Sequence, residues 1–479
     1  MPKFVFLWTD AVLWALVAGL VAYGWHVARS PNLRRSWAKV AQDPTGLCAG
    51  LVLALFALVT MADSVHFRRA LPPAPGAPAD APVYYATQAQ SLLDLLLARP
   101  LSMRETDYSA PLAVVGFTKQ AIERDGQIVR DHPRLQFGGA HLKDPATEHL
   151  PDLLGRAAVG AAGGALAWLL VAAAVAAALR RRHGGFGAAC RDLAADRTAL
   201  PWRAALATVA VVCLLVGPAI ALMGSYHVLG TDRTGNDVLV QALKSVRTAF
   251  VIGSLASLAT LPFALGLGVL AGYFRGWVDE VIQYLYTLLS SVPNVLLIAA
   301  CVLMVQVFLD KHPELFETGT ERSDLKVFLL CLVLGLTGWA TLCRLVRGET
   351  LKLRELEFVQ AATAFGVSPA RIMSRHIVPN VMHLVLITTV LNFSDLILYE
   401  AVLTYVGVGV DPSMNSFGGM INLSRSEMSR DPVVWWSFAA AFGFMVTLVL
   451  AANLFADGVR DAFDPRARSL RPRVRASVA

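Results

Sequence analysis

Asp395 and Glu400 are the ionisable residues with the most chemistry to offer, because both fall in or near an apolar stretch. A carboxylate there is expensive and marks an ion, proton or solute path. Five positions turn a helix by about 140°, so the two do not form one acid pair. A helix-end carboxylate in contact with water is the plainer reading of Glu400. His376 and the trio His132, His141 and His149 are ligand types for a metal, but none has a second ligand at metal-site spacing. Asp232 and Asp237 lie in the run GTDRTGND. That run lacks the third-position Asn or Asp of a calcium loop, which leaves turn and cap hydrogen bonds as their expected work. No GxxxxGK[ST], HExxH or nucleophile elbow occurs. ATP hydrolysis, metal and cofactor are therefore not expected in this chain, which reads as no enzyme.

The elements that must position these residues are membrane helices. The chain has 479 residues, 56% hydrophobic and only 16% charged, with mean hydropathy +0.54, less charge than a soluble protein carries. The net charge of +7 could suit nucleic acid, but Lys and Arg concentrate in loops beside apolar segments. That pattern fits orientation in a lipid bilayer and no nucleic-acid partner. The six cysteines form no CxxC pair or framework and read as small buried apolar residues.

Nine apolar segments are expected to span: 7–27, 47–61, 157–179, 204–223, 250–273, 281–309, 328–345, 381–398 and 434–455. The first could be a signal peptide, but only Lys3 precedes it and no small-residue cleavage site is clear. It reads as an uncleaved anchor with its N-terminus outside. The polar stretch 66–151 begins LPPAPGAPADAP at Leu71, contains no cysteine, and is placed outside; a helix is expected near 89–98, with loops or short strands elsewhere. Pro293 is expected to kink the sixth span, and Gly407 and Gly409 to break the eighth. The C-terminus falls inside.

One interruption is both basic and patterned: RGETLKLRELEFVQAATAFGVSPARIMSRHIVPN, residues 347–380. Leu353, Leu356 and Val359 recur as one helix face. Gly366 can end that helix at positive φ, and Ser368-Pro369 reads as N-cap and N1 of a second. Ile372, Met373, His376 and Ile377 share one side of it, and Pro379 is expected to stop it. Read from the residues, this is a glycine elbow between two short helices. It lies either on lipid headgroups or against a protein.

Gln360-Ala361-Ala362 followed by Gly366, Ile372, His376 and Pro379 resembles the EAA loop of type I ABC-importer permeases. Three further stretches keep the family's order. LGTDRTGNDVL (229–239) resembles LGTDxxGRDVL of the dipeptide/oligopeptide subfamily, with Gly230, Thr231, Asp232, Gly235 and Asp237 in register. EAVLTYVGVG (400–409) resembles EAxLSFLGLG. NLFADGVRD (453–461), with Asp464-Pro465-Arg466, resembles NLLGDGLRDxLDPR. Gln360 stands where the family usually has Glu, and Asn236 where it usually has Arg.

The resemblance implies an all-α polytopic protein of the bacterial inner membrane. It would have a six-helix permease core, about three extra helices and a periplasmic insertion. The implied division is 1–30, an extra helix; 31–66, the first core helix; 67–156, the insertion; 157–224, an extra helix pair; 225–466, the core with its coupling loop at 347–380; and 467–479, a basic cytoplasmic tail. Segment 204–223 is the alternative first core helix. The implied function is the permease subunit of an ATP-driven, binding-protein-dependent importer of di- or oligopeptides. Its partners would be a second homologous permease, two ABC ATPase subunits and a periplasmic solute-binding protein. Two rivals stand: a secondary transporter using Asp395 or Glu400, and a membrane-anchored sensor or assembly factor.

Overall fold

The computed structural model describes residues 3–71, 85–86, 89–124, 127–181, 185–316 and 318–463. The basic tail, the Asp464-Pro465-Arg466 run and most of the proline-rich stretch lie outside them. Among the described residues, nine helices are long and apolar enough to cross a membrane. They are α1 (Trp8–Arg29), α3 (Pro44–Asp63), α6 (Pro145–Leu179), α8 (Trp202–Met223), α9 (Val238–Phe274), α11 (Asn294–Lys311), α12 (Gly319–Arg354), α15 (Val378–Val406, reached through a helical lead-in from Pro369) and α17 (Trp436–Phe463). Shorter helices join them: α2 (Pro31–Gln42), α4 (Leu92–Leu96), α5 (Ala98–Ser102), α7 (Phe186–Ala194), α10 (Trp277–Ser291), α13 (Glu357–Ala364), α14 (Pro369–Ile372) and α16 (Phe417–Glu427). Three short strands, β1 (Lys3–Val5), β2 (His66–Arg68) and β3 (Gln90–Ser91), pair antiparallel in that order, and β4 (Gln120–Arg124) and β5 (Gln127–Asp131) form a hairpin.

Several expectations need correction. The span expected at 281–309 is two helices, α10 and α11, parted at Val292-Pro293. A residue before proline is pushed out of the helical region, and Val292 sits at ψ 137°. Pro379 does not stop a helix. The chain passes through a π turn at Met373–Ile377 and runs on as α15. Proline at 379 cannot donate to the carbonyl four residues back and crowds it, and the wider π turn relieves that crowding. Helix α9 begins at Val238 rather than 250, so Lys244 and Arg247 ride inside it. The helix expected at 89–98 is α4, opened by a Ser91–Asp94 capping box, and then α5.

The core has two levels. At the elbow end, Val346 of α12, Tyr286 of α10 and Ala271 of α9 pack with Val359, Ile372, Ile377 and Val381. At the insertion end, Phe56 of α3 packs with Val246 of α9, Ile397 of α15, Phe417 of α16 and Trp436 of α17. Helices α9 and α12 pack along their length; at Gly272 an added Cβ would lie 2.6 Å from Thr350 Cβ. Helices α6 and α8 pack chiefly on each other through Gly160, Gly164 and Gly217, the small-residue contact that the Ala/Gly composition leads one to expect. Helix α1 is tied to the core by charge. Arg247 Nη2 donates to Asp10 Oδ1 at 2.6 Å and to Thr9 Oγ1 at 3.1 Å, while Thr9 N donates to Asp324 Oδ2 at 3.1 Å. Neither Asp10 nor Arg247 is more than 5% exposed, so each neutralises a charge the other could not bear alone.

Candidate functional site

The elbow stands on a buried footing and presents an open apex. Its base is fixed by Arg347 of α12, whose Nε and Nη2 grip Asp279 of α10 at 2.5 and 2.7 Å, the bidentate geometry suited to guanidinium and carboxylate. Arg354 Nη1 donates to the Tyr273 carbonyl at 2.8 Å. Leu353 belongs to α12 and Leu356 to the N-cap of α13, so the apolar face expected as one helix is split at Glu355. Only Val359 of α13 is buried. Gln360 and Ala361 are exposed and Ala362 half-buried; Gln360 Nε2 donates to the Glu355 carbonyl at 3.2 Å.

Gly366 ends α13 at φ 75°. Val367 N donates to Ala362 O at 3.1 Å and Gly366 N to Thr363 O at 3.0 Å, the paired bonds of a Schellman stop. Just before it, Phe365 is 87% exposed, a bare aromatic at the apex. Beyond it, Ile372 and Ile377 are fully buried. His376 is half-buried, its ring centroid 6.1 Å from that of Phe358, and Pro379 is exposed at the head of α15.

The two carboxylates of α15 part company. Asp395 is exposed on the flank of the helix. Glu400 is fully buried and accepts from Thr404 Oγ1 at 2.8 Å. Gly407, at φ 92°, ends α15, and the loop after it folds back so that Val410 N reaches Thr404 Oγ1 at 3.0 Å. Helix α16 was not expected from the sequence; in its short run FGGMINLSRSE only Phe417, Met420 and Ile421 keep a helical apolar spacing, too brief a signal beside the glycines and polar residues. Structure therefore brings Glu400 to a helix–helix seam and leaves Asp395 facing outward.

The GTD loop clasps the 105–109 segment. Thr231 accepts from Ser109 N at 2.7 Å and donates to Asp107 O at 2.9 Å. Gly230 and Gly235 have positive φ. Asp232 caps the turn through Thr234 N and Asn236 N at 2.8 and 2.9 Å, and Asp237 caps α9 through Leu239 N at 2.9 Å, the turn and cap work expected of them. His227, which belongs to no motif, joins them. His227 Nδ1 lies 2.8 Å from Asp237 Oδ2, and its Nε2 lies 3.5 Å from Glu105 Oε1. Glu105 also accepts from the amides of Gln136, Phe137 and Gly138. His132, His141 and His149 serve Gly116 O, Asp152 and Leu112 O, and no metal-binding cluster occurs among the described residues.

This clasp is pH-sensitive. Burial works against the His227 imidazolium, but Asp237 and Glu105 outweigh it and raise His227 from 6.5 to about 9. Burial likewise opposes the Glu105 carboxylate, and His227 with three amides lowers it from 4.5 to about 2. The stabilisation from His227 is complete below pH 6.5 and is lost as pH rises through about 9. That from Glu105 is present above pH 4.5 and is lost as pH falls through about 2. Hydrogen exchange at the 136–138 amides, corrected for intrinsic rates, should show most protection near pH 5–6 and steep loss above about 9. An identical profile in His227→Gln would refute this.

With this geometry established, comparison decides the family. Residues 264–469 match the family described as "Binding-protein-dependent transport system inner membrane component". The chain is 35% identical over 252 residues to the oligopeptide transport system permease protein OppC of Mycobacterium tuberculosis H37Rv, covering 53% of this chain and 80% of that one. The chain belongs to the binding-protein-dependent permease family. It is 32% identical over 246 residues to OppC of Escherichia coli K12, covering 51% and 74%. Among solved structures, a chain of the inward-facing MetNI methionine ABC transporter aligns with 47% of this chain and 96% of its own, at 16% identity and a TM-score of 0.35. By its family, this permease is a multi-pass inner-membrane protein and the transmembrane component of a binding-protein-dependent importer.

Proposed function

We propose that this permease imports short peptides, and that it pairs with a second related permease, two ATPase subunits and an extracytoplasmic binding protein. The observation that carries the coupling role is the elbow apex: Phe365 stands 87% exposed above fully buried Ile372 and Ile377. An exposed aromatic on a rigid footing suits a pocket in another protein. Gln360, Ala361 and Ala362 form the face offered to the ATPase, and Gly366 sets the apex angle. Ile372, His376 and Pro379 transmit its movement into α15, so that ATPase closure switches access between the two membrane faces. Asp395 faces the solute path or the partner permease, and Glu400 holds the α15–α16 seam. Helix α3 serves as the first core helix, supported by its packing on α9 and α17, whereas α8 packs mainly on α6. The N-terminus lies outside and the C-terminus inside, as the Lys/Arg distribution favours.

Reconstitution with copurifying ATPase subunits tests the proposal: trialanine delivered by the binding protein should stimulate ATP hydrolysis and enter vesicles. Absence of stable ATPase binding would overturn it. Orientation has its own test. In a cysteine-free background, Ile128→Cys, at a position 82% exposed on the β4–β5 hairpin, should react with an impermeant thiol reagent in intact cells. Ser368→Cys at the elbow should react only after the membrane is opened; the reverse pattern would invert the orientation.

A further inference from the structure

Helix α2 (Pro31–Gln42) is held at a membrane surface by its connections. One residue, Ser30, joins it to α1, and one, Asp43, joins it to α3. With 22 and 20 residues, those two helices run about 33 and 30 Å, just enough to cross the hydrocarbon core. Both ends of α2 are therefore tied to the same face of the bilayer, and its own length of about 18 Å lies at headgroup depth. Aromatic residues mark that depth. Trp25 of α1 is 59% exposed, and Trp37 of α2 donates from Nε1 to Tyr23 Oη at 3.2 Å. Trp and Tyr gather at the boundary between membrane and water.

The helix has two unlike sides. Val40 is buried against Val459 and Ala462 of α17, and Leu33 and Trp37 are half-buried beside it. The Trp37 ring stands edge-on between Tyr23 of α1 and Phe463 of α17, with centroids 6.3 and 5.5 Å away. The other side carries Arg34, Arg35 and Lys39, all exposed. Arg29, at the end of α1, is exposed too, and its guanidinium lies 3.5 Å from the Trp25 ring centroid. No Asp or Glu occurs from 11 to 42. Asp43 is engaged as the cap of α3, accepting from Gly46 N at 2.8 Å. Among the described residues, none of the four cations forms an ion pair. The connection between α6 and α8 offers a contrast, because its stretch 191–197 interleaves Arg191 and Arg197 with Asp192 and Asp196.

A basic helix face can simply be solvated, but here its depth decides. The anions at the level of α2 are lipid phosphates, and a basic cluster beside a membrane span is drawn to them. We propose that the exposed face of α2, with Arg29, is a binding site for anionic phospholipid headgroups. Arg34, Arg35 and Lys39 take the phosphates, and Arg29 closes one end of the site beside Trp25. The site is independent of the solute and of the import reading.

The full chain, purified in detergent, is titrated with dioleoylphosphatidylglycerol or dioleoylphosphatidylcholine, and retained lipids are counted by native mass spectrometry. Saturable binding of the glycerol lipid is expected, at least about tenfold tighter than that of the choline lipid. Each Lys or Arg near an anionic surface contributes about fivefold. Arg34→Gln/Arg35→Gln/Lys39→Gln should therefore weaken phosphatidylglycerol binding at least about thirtyfold, with phosphatidylcholine binding and Tm unchanged. Arg34→Lys/Arg35→Lys should keep most of the affinity, and Arg191→Gln/Arg197→Gln should keep all of it. On the unmutated chain, raising salt from about 0.1 to about 1 M should weaken phosphatidylglycerol binding at least about fivefold; this serves if the triple variant does not fold. Equal binding of the two lipids, binding of phosphatidylglycerol that ignores salt, or an equal loss in the 191/197 pair would each overturn the proposal. So would displacement of the lipid by millimolar inorganic phosphate, which would mark a free-anion site. Unchanged phosphatidylglycerol binding in a triple variant that no longer copurifies with ATPase subunits would give the face to a protein and overturn it as well.

Discussion

Gly366→Leu should insert, fold and still lose most trialanine-stimulated ATP hydrolysis and uptake. The glycine holds φ 75°, where any Cβ costs about 1–2 kcal/mol. Yet a Cβ there would meet nothing within 4 Å in this chain. The internal penalty is thus only the local strain, and anything beyond it arises where the apex meets another protein. Gly366→Ala isolates the strain and should retain partial activity. Phe365→Asp removes the exposed ring without touching the fold; loss of a buried aromatic anchor at an interface costs about 2 kcal/mol or more, which would cut ATPase affinity at least about thirtyfold. Ala362→Trp should block by bulk, whereas Gln360→Glu should be tolerated. An elbow that merely rests on lipid would accept Leu and Asp at these positions with transport intact. Near-normal uptake in both Gly366→Leu and Phe365→Asp, at normal expression, would remove the coupling role.

Gly235→Ala should release the insertion from the core. The residue sits at φ 76°, and an added Cβ would stand 1.8 Å from Glu105 O and 2.4 Å from Glu105 C. These are backbone atoms, so no rotamer change can make room. Overpacking of this kind costs about 1–3 kcal/mol, and the left-handed backbone adds about 1–2. Trypsin should cut the 104–138 region at least tenfold faster in detergent, and thermal unfolding should shift down by several degrees. Gly266→Ala is the control: it lies in α9 with nothing within 4 Å of a Cβ, and it should be neutral or slightly stabilising. Equal protease resistance in the two variants would show that the loop yields without cost.

Much of this architecture is legible in the sequence because membrane spans depend on composition over about twenty residues. Eight of the nine expected spans each correspond to a single helix and the remaining one is divided before Pro293, and the glycine stop at 366 follows from local stereochemistry alone. The sequence reading failed where a distant partner changes what a residue means. Arg247 falls before the span expected at 250, yet it lies inside α9, where Asp10, 237 positions earlier, neutralises it. His227 and Glu105 are 122 positions apart, and no spacing rule links them. Pro379 carried the right local signal, a missing donor, but a π turn absorbed it. The sixth span, 281–309, was expected to kink at Pro293, and the backbone restriction before that proline divides it outright into α10 and α11.

The bond between Asp10 and Arg247 also has a consequence in time. Asp10 leaves the ribosome 237 residues before Arg247 exists. At about 5–20 residues per second that is roughly 10–50 s. Until His66 and then Arg247 arrive, the first helix carries a carboxylate without its full set of partners into or beside the bilayer, where such a group is costly. The nascent chain must shelter it, by holding α1 near the surface or at the insertion machinery, until α9 arrives. A product cut short before Arg247 would expose that unmet charge, and quality-control proteases could distinguish it from the finished protein by the first helix alone.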